Sequence, residues 1–243
     1  MIESIRRAAQ LVRNAQWAVA FTGAGISTAS GIPDFRSPES GLWATADPME
    51  VASLQTFRQS PEKFYDWVKP LARTLLTAQP NTAHRALAQL EARGYLTVTI
   101  TQNIDMLHAR AGTQHLLEVH GHLREATCIH CYHVEAAAGL LEEWLNRGEL
   151  PRCSLCGNVM KPNVILFGEQ LPAAVFSQAQ MAARQCDVML VAGSSLEVFP
   201  AADLPLLSLD HGAAVIIINR EPTFVDERAA VVIHADVAEA LPL

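Results

Sequence analysis

Four of the five cysteines fall in two pairs, Cys128-x-x-Cys131 and Cys153-x-x-Cys156, with residues 132–152 between them. A tight turn aims the two thiolates of each pair at one ion, and two pairs close a tetrahedron. The spacing therefore predicts a structural Zn2+ whose coordination sphere is full. His130 and His133 lie nearby but are surplus to that set. A second kind of chemistry is written in Val98–His108, VTITQNIDMLH, where an apolar β-branched run opens directly into Gln102, Asn103 and Asp105. A solvated turn would account for the polar residues. It would not account for Ile104 standing among them. Further on, VHGH puts His120 at the end of another apolar run, where an imidazole beside Asn103 and Asp105 is a candidate general base; His122 is the competing candidate. A third element is the glycine loop FTGAGIST, residues 21–28. Gly23 and Gly25 permit close approach of backbone to a pyrophosphate, and a helix starting there would offer free N–H groups. The third glycine of a dinucleotide fingerprint is Thr28 here, so the loop by itself fits a structural turn equally well.

These residues need a frame. Runs that are apolar throughout rather than alternating begin at Ala18, Val98, His115, Asp187, Ala213 and Ala230, the pattern of strands covered on both faces. Helical patterns lie between them, in PEKFYDWVKPLARTLLTAQ, NTAHRALAQLEARG and AAVFSQAQMAARQ. Strand alternating with helix predicts an α/β fold with a doubly wound parallel sheet, which binds ligands in the crevice at its strands' carboxyl ends. The glycine loop, TQNID, AGSSLEVFPAA after the fourth strand and Asn219-Arg220-Glu221 after the fifth all fall there. Two segments break the rhythm. Residues 31–60 are rich in turn formers and long for a βα connection, and residues 124–162 read as a small metal module inserted into the α/β domain. Cys186, the unpaired cysteine, is read as a small buried side chain.

Half of the 243 residues are hydrophobic and 18% are charged, a composition with ample core. A net charge of -7 argues against a general nucleic-acid binder. The amino-terminal stretch carries Arg6, Arg7 and Arg13 without a long apolar run after them, so it reads as an amphipathic helix rather than a signal peptide. With no run of membrane-spanning length and metal-type cysteine pairs, the expected location is the cytoplasm.

At these residues the sequence resembles the sirtuins, the NAD-dependent protein deacylases, and looks most like the compact bacterial enzymes. GAGIS, GIPDFR, TQNID, HGH, the two Cys-x-x-Cys pairs, NVILFGE, GSSLEVFPA and IIINRE occur in the family's order, from about Trp17 to Asp236. The resemblance implies NAD as co-substrate and one structural zinc on Cys128, Cys131, Cys153 and Cys156. It implies a Rossmann-like NAD domain from residues 1–123 and 163–243, with a flexible cofactor loop at about 31–60, and a zinc-ribbon domain at 124–162. Ala24, Gly25 and Thr28 would belong to the first NAD loop and Ser194 and Ser195 to the second. Phe35 would shield the reactive sugar face and Arg36 would help hold phosphate. Gln102 and Asn103 would orient the nicotinamide ribose, Ile104 and Asp105 would form the carboxamide pocket, Asn219 and Glu221 would hold the adenosine ribose, and Val237 would lie near adenine. His120 and Asn103 would be the catalytic residues. Val164, Phe167, Gly168 and Glu169 of NVILFGE, with Val198 of LEVFP, would receive acetylated protein as an added strand.

The implied reaction removes acyl groups, mainly acetyl, from protein lysines and releases nicotinamide and O-acetyl-ADP-ribose. Mono-ADP-ribosyl transfer from the same NAD site is the runner-up; an NAD-dependent oxidoreductase and a non-catalytic zinc-ribbon module are further alternatives. Family members that prefer acidic acyl chains carry a Tyr and, three residues later, an Arg. Here those positions are Tyr65 and Val68, with Lys69 adjacent, so a neutral acyl group is expected. GSSL stands where GTSL is commoner in the family, and the segment near Asp236 lacks a glycine often found there.

Overall fold

The structure, a computed structural model, describes residues 2–34 and 46–243. Helix α1 (Ile2–Asn14) leads into β1 (Ala18–Thr22), every residue of which is buried. After two short 3-10 turns and the undescribed stretch come α2 (Pro48–Val51), α3 (Leu54–Gln59), α4 (Pro61–Thr77) and α5 (Thr82–Ala92). Next in the chain are β2 (Val98–Thr101), α6 (Leu107–Ala111), β3 (Leu116–Glu118), β4 (Gly121–Cys128), β5 (Val134–Ala136), α7 (Ala137–Arg147) and β6 (Met160–Val164). The remainder is α8 (Ala173–Gln185), β7 (Val188–Ala192), α9 (Leu204–Asp210), β8 (Ala214–Ile218), β9 (Val231–Ile233) and α10 (Val237–Ala240).

The six expected apolar runs are β1, β2, β3, β7, β8 and β9. They form one parallel sheet in the order β3-β2-β1-β7-β8-β9. Because both faces of this sheet are covered, both sets of side chains are apolar. Val19, Phe21, Met189, Val191, Val215 and Ile217 face one core with α8 and α9, and the intervening Ala20, Leu190 and Ile216 face another with α1, α5 and α10. The chain winds outward from β1 to β3 and then restarts at β7 on the other side of β1, so the reversal of direction falls between β1 and β7. That is where a parallel sheet opens a crevice.

Strands β5, β4 and β6 make a separate antiparallel sheet, backed by α7 through Ala137, Leu141 and Trp144. Its two connections to the main sheet run side by side. Gly121 pairs with Val164, and the Ile165 N–H donates to the carbonyl of His120 at 2.9 Å. Gly121 has φ +79, and a Cβ there would fall 2.0 Å from the Asn163 carbonyl, so only glycine lets the two strands touch. Among the described residues no helix is long and apolar enough to cross a membrane. Cys186 is buried and unpaired, and burial pushes its thiol up to about 12.

Candidate functional site

The carboxyl ends of β1, β2, β7 and β8 open on a cavity of about 1320 Å3. Its walls include Ala24, Gly25 and Thr28 after β1, Gln102 to Asp105 after β2, and His120 after β3. Ser194, Ser195 and Val198 after β7, Asn219 and Glu221 after β8, and Val237 complete that side. Val164, Phe167, Gly168 and Glu169 line the opposite wall. The fold thus gathers every described residue that the sequence nominated for cofactor or peptide. Phe35 and Arg36 lie outside the described residues. His122 is not in the lining, and its Nδ1 is buried without a hydrogen-bond partner, so of the two candidate bases only His120 faces the cavity.

The glycine loop departs from the sequence reading. Instead of an α-helix, Thr22 is followed by two 3-10 turns, Ala24–Ile26 and Thr28–Ser30, so no helix N-terminus is aimed at the crevice. The glycines serve a loop-to-loop contact. Gly25 N–H donates to the Gly193 carbonyl at 2.8 Å, and a Cβ on Gly25 would meet that oxygen at 2.9 Å. Gly193 itself has φ +65, and a Cβ there would sit 2.3 Å from Ile26 N. Gly23 and Gly25 thus let the two loops pack together at the cavity's edge, and both still line the cavity.

The opening puzzle of TQNID resolves into a buried network. Asn103 and Asp105 are only 7% and 6% exposed, and Ile104 packs against the small-sheet core. Asp105 accepts the Ser27 hydroxyl at 2.6 Å on one carboxylate oxygen and the Leu107 N–H at 2.9 Å on the other. The Ser27 proton is thereby committed, so Ser27 Oγ accepts from Asn103 Nδ2 at 3.2 Å; that amide also donates to the Gly23 carbonyl at 3.0 Å. Met106 carries the chain into α6 at φ +63, a left-handed conformation held by the Asp105 cap and the burial of Leu107. Burial raises the Asp105 carboxyl above its ordinary range, opposed by the Ser27 and Leu107 hydrogen bonds. Gln102 reaches across to Ser194, its Nε2 donating to Oγ at 2.9 Å.

Beneath this network sit two histidines that sequence reasoning passed over. His84 and His108 are 0% and 1% exposed, with ring centroids 4.8 Å apart in an edge-to-face contact. Thr22 donates its hydroxyl proton to Thr101, so His108 Nε2, 2.9 Å from Thr22 Oγ1, must be the donor there. Burial holds both imidazoles neutral, lowering His84 to about 4 and His108 to about 3. Both occupy the inward face of an amphipathic helix, which is the signal that could have found them.

His120 is set up as a base. Its Nδ1 lies 3.1 Å from the Gln102 carbonyl, an atom that can only accept, so Nδ1 carries the proton. Nε2 of the neutral ring is therefore the bare nitrogen. Burial lowers the His120 pKa, against the Gln102 hydrogen bond, and keeps the ring unprotonated at neutral pH.

At the far end of the small sheet, the sulfurs of Cys128, Cys131, Cys153 and Cys156 all lie within 4.8 Å of one another. A tetrahedral zinc with Zn–S bonds of about 2.3 Å spaces its sulfurs about 3.8 Å apart, so the four fit one ion. The His130 and Cys131 N–H groups point at Cys128 Sγ and Asn158 Nδ2 at Cys156 Sγ, donors suited to thiolates.

Residues 23–200 match the Sir2 family. The chain belongs to that family. It is 45% identical over its whole length to NAD-dependent protein deacylase 2 of Archaeoglobus fulgidus, covering 95% of that protein, and 45% identical to the NAD-dependent protein deacetylase of Caldivirga maquilingensis, covering 93%. Among solved structures, a Sir2 variant with deacetylated p53 peptide and 3'-O-acetyl ADP ribose superposes with a TM-score of 0.92 at 36% identity, with 98% of this chain and 95% of that chain covered. Sir2 membership explains why a Rossmann-like sheet and a four-cysteine ribbon flank one cavity.

Proposed function

We propose that this Sir2 protein removes acyl groups, chiefly acetyl, from protein lysine side chains at the expense of NAD, releasing nicotinamide and O-acetyl-ADP-ribose. The observation that carries the reading is the tautomer of His120: Nδ1–H is tied to the Gln102 carbonyl, leaving a basic Nε2 in the cavity beside Asn103 and Asp105. Bound NAD would supply an electrophilic ribose carbon whose leaving group is nicotinamide, and a zinc held by Cys128, Cys131, Cys153 and Cys156 would fix the small domain.

The protein's own groups then have distinct work. Asp105, fixed through Ser27 and Leu107, presents its remaining lone pairs to the nicotinamide carboxamide, and Ile104 packs against the ring. Asn103 and Gln102 orient the ribose, and His120 Nε2 takes a proton from a ribose hydroxyl. Ala24, Gly25, Thr28, Ser194 and Ser195 receive the phosphates and adjacent sugar, with Asn219, Glu221 and Val237 at the adenosine end. Phe35 and Arg36 complete this reading from the undescribed stretch. Residues 1–123 and 163–243 act as the NAD-binding domain and 124–162 as the zinc-binding one. Acetylated protein lies extended between Val164–Gly168 and Val198, where backbone pairing tolerates many sequences. The cytoplasm, where acetylated proteins and NAD meet, is the location consistent with this chemistry.

A neutral acyl group fits the side chains. The Tyr65 hydroxyl is spent on the Met160 carbonyl at 2.7 Å, beneath Trp144. Val68 lines the cavity, whereas Lys69 does not; its Nζ lies beside Gly148, at the end of α7. A succinyl carboxylate beside Tyr65 would meet the Val68 side chain where a guanidinium would be needed to pair it. The test is incubation with NAD and a panel of acyl-lysine peptides, measuring nicotinamide and O-acyl-ADP-ribose together. Stoichiometric release of both supports deacylation. Nicotinamide release with ADP-ribose attached to protein would establish the transferase instead.

A further inference from the structure

Lys161 is the most deeply buried cation described, 9% exposed; it is not one of the zinc-cluster residues, and it sits directly behind the cavity wall rather than in its lining. Its amine folds back along its own strand. Nζ donates to the Pro162 carbonyl at 3.1 Å and the Val164 carbonyl at 2.8 Å, and pairs with Glu169 Oε2 at 3.1 Å. The same Glu169 oxygen accepts the Leu166 N–H at 2.8 Å, and the Glu169 N–H returns to the Leu166 carbonyl at 2.9 Å. Gly168, at φ +82, makes the turn between them. One ion pair thus joins the end of β6 to the far side of the turn, and the residues it encloses, Val164 to Gly168, are the ones that line the cavity. Burying an ammonium costs free energy that a merely solvated surface pair would not.

We propose that Lys161 and Glu169 are positioning residues that hold segment 164–168, an edge closed by the Gly168 turn, in the shape needed to receive an acyl-lysine peptide. The inference rests on the deacylase reading. It also changes the role of Glu169, which the sequence placed among the peptide contacts: its Oε2 already serves two protein donors, so it acts through the turn. A strand edge ordered in advance spares the complex the entropy of ordering it on binding.

The test uses the full zinc-loaded chain and a fluorescently labelled acetyl-lysine peptide. Lys161→Met and Glu169→Gln should each weaken peptide binding about tenfold, as loss of a charge-assisted hydrogen bond does. NAD affinity and zinc content should be unchanged, and amide exchange over residues 163–168 should quicken. The double variant should be no weaker than either single one, because the two act as a pair, and Lys161→Arg should restore most of the affinity. Faster exchange with unchanged peptide affinity would overturn the proposal, as would additive losses, or parallel losses of NAD and zinc binding. If the unmodified chain binds no acetyl-lysine peptide, the deacylase reading falls first and this inference falls with it. That outcome is distinct from a wild type that binds and variants that bind equally.

Discussion

Acidification from pH 7 to pH 5 should destabilise this chain steeply, and His84 and His108 should account for much of the loss. Unfolded, each imidazole gains its proton near the ordinary value of 6.5; folded, His84 resists until about 4 and His108 until about 3. Between those limits the unfolded state binds one more proton per ring, so stability falls with falling pH by about 1.4 kcal/mol per unit per ring. From pH 7 to 5 this amounts to about 2 kcal/mol for each ring and about 4 kcal/mol for the pair, a large share of an ordinary domain's stability. Asp105, raised by burial, works in the opposite sense, because the folded chain takes up its proton first as pH falls. Zinc release from protonated thiolates adds to the absolute loss. Both effects cancel when wild type is compared with His108→Gln. That variant keeps an N–H donor for Thr22 but binds no proton. Urea titrations at pH 7 and pH 5 should show its stability falling about 2 kcal/mol less than that of the wild type. Equal losses in the two proteins would refute the claim that His108 is buried neutral.

Replacing His120 with Ala should lower deacylation by about two to four orders of magnitude while NAD affinity, measured by calorimetry, stays within severalfold. Cys128→Ser should lose zinc and stability together, read by metal analysis and thermal melting, since metal-binding energy here is folding energy. Asp105→Asn should weaken inhibition by nicotinamide about tenfold in a product-inhibition assay, because the carboxylate's charge is lost from the hydrogen bond to the carboxamide. Val68→Arg should shift the ratio of succinyl to acetyl removal on one peptide about tenfold toward succinyl, by giving the carboxylate a guanidinium partner.

What the sequence displayed openly was the set of buried strands. Continuous β-branched runs such as AAVIIIN can be satisfied only by a sheet covered on both faces, and the polar residues that end each run mark the crevice. Paired cysteines were equally open, since little else rewards that spacing. The helix after FTGAG was misread because a glycine loop behind a strand suggests one, whereas the contact that needs these glycines, Gly193, is remote in sequence. His84 and His108 stayed hidden because a histidine on a helix's buried face looks like any other interior residue until Ser27 and Thr22 are seen beside the pair. Lys161 was invisible for a related reason: its acceptors are backbone carbonyls, which every sequence has.

The side-by-side crossing at His120–Gly121 and Val164–Ile165 ties the strand end that carries the imidazole to the first residues of the cavity's opposite wall. Whatever shifts one of these two strand ends shifts the other with it, because backbone pairing joins them directly. The base and the edge that would hold the incoming lysine therefore keep one spacing. Gly121 sets that spacing: with any larger residue there the two strands would be prised apart, and the base would draw away from the opposite wall.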